Sequence, residues 1–243
     1  MREFESFVYL DVPKTGSTFI CTLLRKFGTE KEILKRPHFA VGDSYNSNKF
    51  HFISVRNPLD QFVSLYSYGS EKKGALYGRF KENGHDQLYD GSWSGFESWL
   101  DFVLDPENAW FLDNSYSVAG QGEGCKKIGF QSYRFLNLAV PHVKELLDLS
   151  STKDQIIQMY NSQKIATFTI RYESFRSDLE QLLRTRLRTS IADLTEALRF
   201  LETSPPINAS QRIEAWRGGS KIGRRRRKRL QEREWLLHEL FGY

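Results

Sequence analysis

Two short apolar runs, Phe7 to Val12 and Phe50 to Val55, each break at a proline-bearing loop and pass straight into a helical pattern. This strand–loop–helix order, met twice in sixty residues, constrains the fold more than any other feature. After Thr15 the residues Phe19, Leu23 and Phe27, with Ile20 and Leu24 beside them, hold one helical face until Gly28 ends the run. After Val55, Asn57 and Pro58 read as an N-cap with proline at the first helical position, and Phe62, Leu65 and Tyr66 fall on the buried side. A short strand is expected within 31–35. Helical stretches at 96–104, 134–149 and 152–162 lead to a third strand, Ile165 to Ile170. Helices at 175–187 and 191–202 follow, and a basic helix carrying Leu236, Leu237, Leu240 and Phe241 comes last. Strands alternating with helices predict an α/β fold with a mostly parallel central sheet flanked by helices on both faces.

A chain of 243 residues can bury a sizeable core as one domain. Residues 1–243 are therefore read as a single domain. Within it 69–95, rich in glycine, serine and charge, reads as a surface excursion, and 69–130 as the part facing a substrate. A hydrophobic share of 40% with 14% aromatics excludes a disordered chain. The net charge of +5 favours an anionic ligand without marking a nucleic-acid binder. Cys21 and Cys125 make neither a disulfide framework nor a metal-ligand spacing, which suits a reducing compartment. No apolar run approaches the roughly 20 residues of a membrane span, and the amino terminus lacks a signal-peptide pattern. The expectation is a soluble, cytoplasmic protein that needs no metal.

In parallel sheets, ligands sit where strands end and helices begin. A helix start presents unpaired N–H groups and the positive end of the helix dipole to an anion. In "LDVPKTGSTF" Gly16 permits close backbone approach, Thr15, Ser17 and Thr18 supply hydroxyls, and Lys14 supplies a charge. The lysine precedes the only glycine, so this is not a Walker A loop. Arg56 stands at the matching edge of the second strand. Its planar fork suits a dianionic phosphate, although taken alone it reads better as a surface salt-bridge partner of Asp60.

Together the two segments resemble the sulfotransferases that use 3'-phosphoadenosine 5'-phosphosulfate (PAPS). Pro13-Lys14-Thr15-Gly16-Ser17-Thr18 is similar to that family's 5'-phosphosulfate loop. Arg56-Asn57-Pro58-Leu59-Asp60 with Ser64 is similar to its 3'-phosphate segment, the arginine eight residues before the serine. "FTIRYESFRSDLEQLL" looks like the third-strand segment whose tyrosine, here Tyr172, lies near the adenine. "WRGGSKIGRRRRKRL" resembles the late loop that closes over the nucleotide, which assigns Arg217, Gly218 and Gly219 to the 3'-phosphate. Phe19 stands where the family often has tryptophan and is read as an adenine-stacking or a core residue. Thr203-Ser204 is a further adenine-contact assignment.

The resemblance implies a P-loop NTPase-like architecture and sulfuryl transfer from PAPS to an acceptor hydroxyl, with Lys14, His38 and Ser64 as catalytic residues. Lys14 would neutralise the leaving oxygen. Thr15 to Thr18 would hold the 5'-phosphate, and Arg56, Ser64 and Arg217 the 3'-phosphate. For the base, "EILKRPHFAV" resembles the cytosolic branch's K-T-H region, with Arg36-Pro37 in place of its single threonine. An imidazole titrating near about 6.5 suits proton removal at neutral pH. The polysaccharide-acting branch uses a carboxylate instead, which keeps Asp43 and Glu71 as alternatives to His38.

The P-K-T-G loop favours a saccharide or glycolipid acceptor, with Tyr66, Tyr68, Tyr77, Trp93, Trp99 and Trp110 as possible aromatic faces. A small phenol or alcohol is the alternative, as is an inactive relative that binds nucleotide or polyanion. The run Arg224 to Arg229 reads as a solvated basic face or as a source of positive potential near the cofactor. Nucleic acid as a partner is disfavoured, because no aromatic–basic interleaving accompanies that run.

Overall fold

The computed structural model of the chain describes residues 1–42, 45–112, 127–143, 152–205 and 222–243. Two compact units emerge from it. The first comprises Met1–Arg56, Asn137–Pro141 and Tyr160–Ala209. The second comprises Asn57–Leu136, His142–Met159 and Ser210–Tyr243.

The first unit holds a five-stranded sheet of β1 (Arg2–Glu3), β2 (Phe7–Leu10), β3 (Leu34–Lys35), β4 (Phe50–Val55) and β5 (Phe168–Arg171), in the order β3-β1-β2-β4-β5. Of the four strands read from sequence, β2, β4 and β5 are parallel neighbours, with Tyr9 beside Phe52 and Phe52 beside Phe168, and the short strand expected within 31–35 is β3. The two-residue strand β1 runs antiparallel to both β2 and β3 and turns that edge into a mixed sheet. Two residues offer no periodicity, so β1 has no sequence signature of its own. The α/β architecture expected from the alternation is present.

β2 is buried along its whole length and β4 along nearly all of it, so alternate side chains pack into cores on the two faces of the sheet. Phe7, Tyr9, Phe52 and Ile170 share one face, where the rings of Tyr9 and Phe52 stack at 4.8 Å. Three helices supply the rest of this core: α1 (Ser17–Phe27) with Ile20, Leu23 and Leu24, a helix over Phe175–Thr185 with Leu179, Leu182 and Leu183, and one over Leu194–Thr203 with Ala197 and Leu201. Each large apolar side chain so buried stabilises the fold by about 1.5–3 kcal/mol. Gly28 ends α1 as expected, its N–H bonding to the Leu24 carbonyl at 2.8 Å.

The second unit opens with α2 (Pro58–Ser70), capped by the Asn57 side chain, which accepts from the Leu59 N–H at 3.0 Å. Phe62, Leu65 and Tyr66 are buried on it, as the periodicity predicts.

The surface reading of 69–95 needs correction. Helix α3 (Ala75–Glu82) and a short 3-10 turn (Asp86–Tyr89) occupy it, and Leu76, Phe80 and Tyr89 are buried. Two glycines that looked like loop markers lie inside helices. A Cβ on Gly69 would meet the Tyr89 ring at 2.2 Å, and one on Gly95, in α4 (Trp93–Val103), would meet Asp90 Oδ1 at 2.0 Å. Tyr66 and Trp99 are wholly buried in this aromatic cluster and present no face to a sugar.

The basic C-terminal segment is two helices, Arg224–Arg233 and Trp235–Phe241, with Glu234 between them. The wholly buried Glu234 carboxylate accepts from the N–H groups of Gln131 (3.1 Å) and Ser132 (2.7 Å), at the start of the helix Phe130–Ala139. Part of the arginine run is committed locally: Arg226 pairs with Glu97 and Asp101, and Arg229 with Asp101 and Asp105. The solvated-face reading therefore holds for only part of the run. No helix among the described residues is long and apolar enough to cross a membrane.

Candidate functional site

The loop between β2 and α1 curls because two of its residues are left-handed, Lys14 at φ 65° and Gly16 at φ 94°. Few side chains tolerate that conformation, and among the described residues only three other non-glycines adopt a positive φ, one of them His38 at 63°. Gly16 is required twice over, since a Cβ there would also meet the Phe175 ring at 2.6 Å. The loop delivers the chain into α1, whose first turn carries no acidic residue to compete for an anion. Ser17 is half-buried and Thr18 exposed at that helix start.

Thr15 differs from its sequence reading as a hydroxyl donor to a ligand. It is fully buried, its hydroxyl bonds the Val12 carbonyl at 2.7 Å, and it lies 2.6 Å from the Ser54 hydroxyl. Ser54 in turn lies 2.6 Å from the Tyr9 hydroxyl. The Thr15 hydroxyl thus ties the loop to the sheet, and burial raises the Tyr9 phenol well above its ordinary value. Sequence reasoning missed this brace, because three hydroxyls spread over positions 9, 15 and 54 carry no local pattern.

Arg56, at the end of β4, reaches this loop. Its Nη1 donates to the Lys14 carbonyl at 3.2 Å, and its guanidinium carbon lies 4.0 Å over the Tyr172 ring. Tyr172 opens a short turn after β5, so the ends of three parallel strands supply this cluster. Beside it lies a cavity of about 530 Å³ lined by Gly16, Phe19, Tyr172, Phe175, Leu201 and Ser204. Phe175 stands edge-on to Phe19 at 5.5 Å and 6.0 Å from Tyr172, which gives the cavity an aromatic wall. Phe19 is a core residue with one edge in this wall. Phe175 is a lining residue the sequence reading missed, although it sits three positions after Tyr172. Arg176 donates to the carbonyls of Glu202 and Ser204, the latter at 3.1 Å, and so fixes the chain where the helix Leu194–Thr203 ends.

His38 lies on the loop after β3, about half exposed. Its N–H donates to Asp11 Oδ1 at 2.9 Å, and its Nδ1 lies 2.6 Å from the Asp11 carbonyl oxygen. Asp11 is three residues before Lys14, so the predicted base and the predicted loop cation hang from one strand end. Of the carboxylate alternatives, Asp43 lies outside the described residues, and Glu71 pairs with Lys73 at 2.9 Å in the second unit.

Ser64 is buried on α2, in the second unit. Arg217, Gly218 and Gly219 lie outside the described residues. Thr203 bonds back to the Arg199 carbonyl at 2.8 Å, while Ser204 lines the cavity. Among the described residues no group of three or more His, Cys, Asp or Glu side chains could hold a metal ion.

Comparison with known proteins accords with the two loops. A family model described as the sulfotransferase family matches residues 1–200. The chain belongs to the sulfotransferase family. Neither a curated protein nor a solved structure matches it. The match runs from β1 through most of the helix Leu194–Thr203, and so takes in Lys14, His38, Arg56 and Tyr172. This sulfotransferase is therefore a transferase built on an α/β sheet, and the chemistry of its family is movement of a sulfuryl group.

Proposed function

We propose that this sulfotransferase takes its sulfuryl group from PAPS and passes it to an acceptor hydroxyl, with a saccharide or glycolipid as the acceptor class. The observation that carries the donor reading is the meeting of Arg56 with the Lys14 carbonyl and the Tyr172 ring. One loop suited to a 5'-phosphosulfate and one arginine suited to a 3'-phosphate thereby share a corner beside an aromatic-walled cavity of about 530 Å³. The saccharide reading rests on the P-K-T-G form of the loop.

The residues divide the work by chemistry. The N–H groups of the first turn of α1 would hold the 5'-phosphate, and the Arg56 fork the 3'-phosphate. Tyr172, Phe175 and Phe19 would pack the adenine. Outside the described residues, Arg217, Gly218 and Gly219 are proposed to add 3'-phosphate contacts by resemblance alone. PAPS supplies a sulfuryl group on a good leaving phosphate. As the acceptor oxygen bonds to sulfur, the bond from sulfur to the phosphate oxygen breaks. His38 Nε2 would take the hydroxyl proton, and the Lys14 ammonium would neutralise charge building on the departing oxygen.

The test is calorimetric binding of 3'-phosphoadenosine 5'-phosphate against ATP, followed by transfer of labelled sulfate from PAPS to a panel of oligosaccharides and phenols. Micromolar binding of the bisphosphate with weak ATP binding, and label on a sugar, is the expected result. Preference for ATP overturns the donor reading, and label on phenols alone overturns the acceptor reading.

A further inference from the structure

We infer that Asp11 is the positioning residue of the base, acting through both its side chain and its main chain to fix the tautomer, direction and charge of His38. This rests on the reading of His38 as the proton acceptor. Asp11 is almost wholly buried at the end of β2, where a carboxylate needs a reason to stay. Its Oδ1 accepts from the His38 N–H at 2.9 Å, which anchors a residue held at a strained positive φ. Its carbonyl oxygen lies 2.6 Å from Nδ1, and a carbonyl can only accept, so the proton of the neutral ring sits on Nδ1. That tautomer places the basic lone pair on Nε2. Oδ2 lies 3.9 Å from Nδ1, close enough to favour the imidazolium that forms when Nε2 takes a proton.

The surrounding charges hold the carboxylate rather than the ring. Arg2 Nε on β1 lies 3.5 Å from Oδ2, and the Met1 amino group, whose pKa burial lowers, lies 2.8 Å from Oδ1. Glu32 stands behind Arg2, accepting from its Nη1 at 2.9 Å. Cys21 of α1 also faces this group, and burial pushes its thiol up to about 11, so it brings no charge at neutral pH. Both oxygens of Asp11 are thus shared, Oδ1 between Met1 and the His38 N–H and Oδ2 between Arg2 and the His38 ring. Because it lies only three residues from Lys14, the same strand end sets the height of both proposed catalytic groups.

The first measurement needs no substitution at Asp11. Long-range proton–nitrogen NMR on the whole chain, with His38 assigned by its loss in His38→Asn, should report a protonated Nδ1 and a bare Nε2 in the neutral ring. The opposite tautomer overturns the inference. In kinetics, Asp11→Asn should lower kcat about tenfold or more, the scale on which misplacing a reacting group costs rate. Affinity for the bisphosphate should stay within twofold. The acid limb of the kcat–pH profile should move to lower pH, and Asp11→Glu should move it back. In a His38→Asn background, Asp11→Asn should cost nothing further. Loss of bisphosphate affinity in step with kcat, an unmoved acid limb, or independent, multiplying losses would each overturn the inference. A His38→Asn enzyme with full kcat would instead remove the base reading on which it stands.

Discussion

The Arg56 guanidinium carbon lies 4.0 Å above the centroid of the Tyr172 ring while Nη1 donates to the Lys14 carbonyl at 3.2 Å. An arginine gripped by a ring and a carbonyl has given up rotamer freedom before any ligand arrives, so a phosphate meets a fork already aimed. Arg56→Ala should therefore weaken bisphosphate binding by a factor of about 10 to 100, the range of a charge-assisted hydrogen bond. Arg56→Lys keeps the charge but loses the fork and the stack, and should recover only part of that loss. Calorimetry on the two variants checks this, and a lysine variant that binds like the parent would show that charge alone suffices.

Lys14 should behave differently. Its main chain shapes the loop, and its ammonium is proposed to meet charge that appears only as the bond to sulfur breaks. Lys14→Met should then lower kcat by about 100-fold or more while bisphosphate affinity changes little. Equal losses in both quantities would place the ammonium in ground-state binding instead.

Gly16 has no room for a side chain. At φ 94° an alanine pays about 1–2 kcal/mol in backbone strain, and its Cβ would press on the Phe175 ring. Gly16→Ala should abolish measurable bisphosphate binding and lower the melting temperature by a few degrees. Adding Phe175→Leu should return part of the lost stability without restoring full binding, since it also removes part of the aromatic wall. A Gly16→Ala enzyme that binds normally would show the loop to be pliable.

The hydroxyl brace gives a prediction about the same loop from below. Ser54→Ala removes one of the two hydroxyls that hydrogen-bond the buried Tyr9 phenol, Thr15 being the other, and leaves Thr15 still bonded to the Val12 carbonyl. Stability should fall by about 0.5–1.5 kcal/mol, the net worth of one hydrogen bond. Tyr9→Phe should cost less in the Ser54→Ala background than alone, because the phenol has by then lost one of its partners. Denaturant melts of the two single variants and the double decide it. If the losses simply add, the hydroxyls do not act as one network.

Local signals explain which parts were legible in sequence. Phe7 to Val12 and Phe50 to Val55 are continuous apolar runs because β2 and β4 are buried strands, and Asn57-Pro58 is a helix start because both its features act within three residues. Lys14 and Arg56 drew attention because each stands just past the end of a buried apolar run, and Tyr172 because its segment resembles the family's third-strand segment. Residues whose role depends on distant partners were not readable. Nothing local to Asp11 marks its role, and only the fold brings His38 and Arg2 to it. Gly69 and Gly95 looked like loop residues because nothing local says that Tyr89 and Asp90 lie against them. Thr15 was taken for a ligand donor because hydroxyls in a loop read alike whichever way they face.

His51 carries a pH prediction whose sign follows from burial. It sits on β4 almost out of solvent, with Nδ1 2.8 Å from the Lys49 carbonyl, its ring 5.2 Å from that of Tyr45, and Nε2 with no hydrogen-bond partner among the described residues. Burial lowers its pKa from the ordinary value, against a smaller upward pull from the Lys49 carbonyl and Glu3. In the unfolded chain the ring takes a proton near about 6.5, whereas in the folded chain it resists until lower pH. Between those two values the unfolded state binds more protons, so stability is present above the unfolded value and is lost as pH falls through the window. Melting temperature should thus decline from pH 7.5 to 5.5 in the parent, and the decline should be shallower in His51→Gln, which keeps a polar side chain but cannot titrate. Parallel slopes in the two proteins would mean that the folded state accommodates the charged ring.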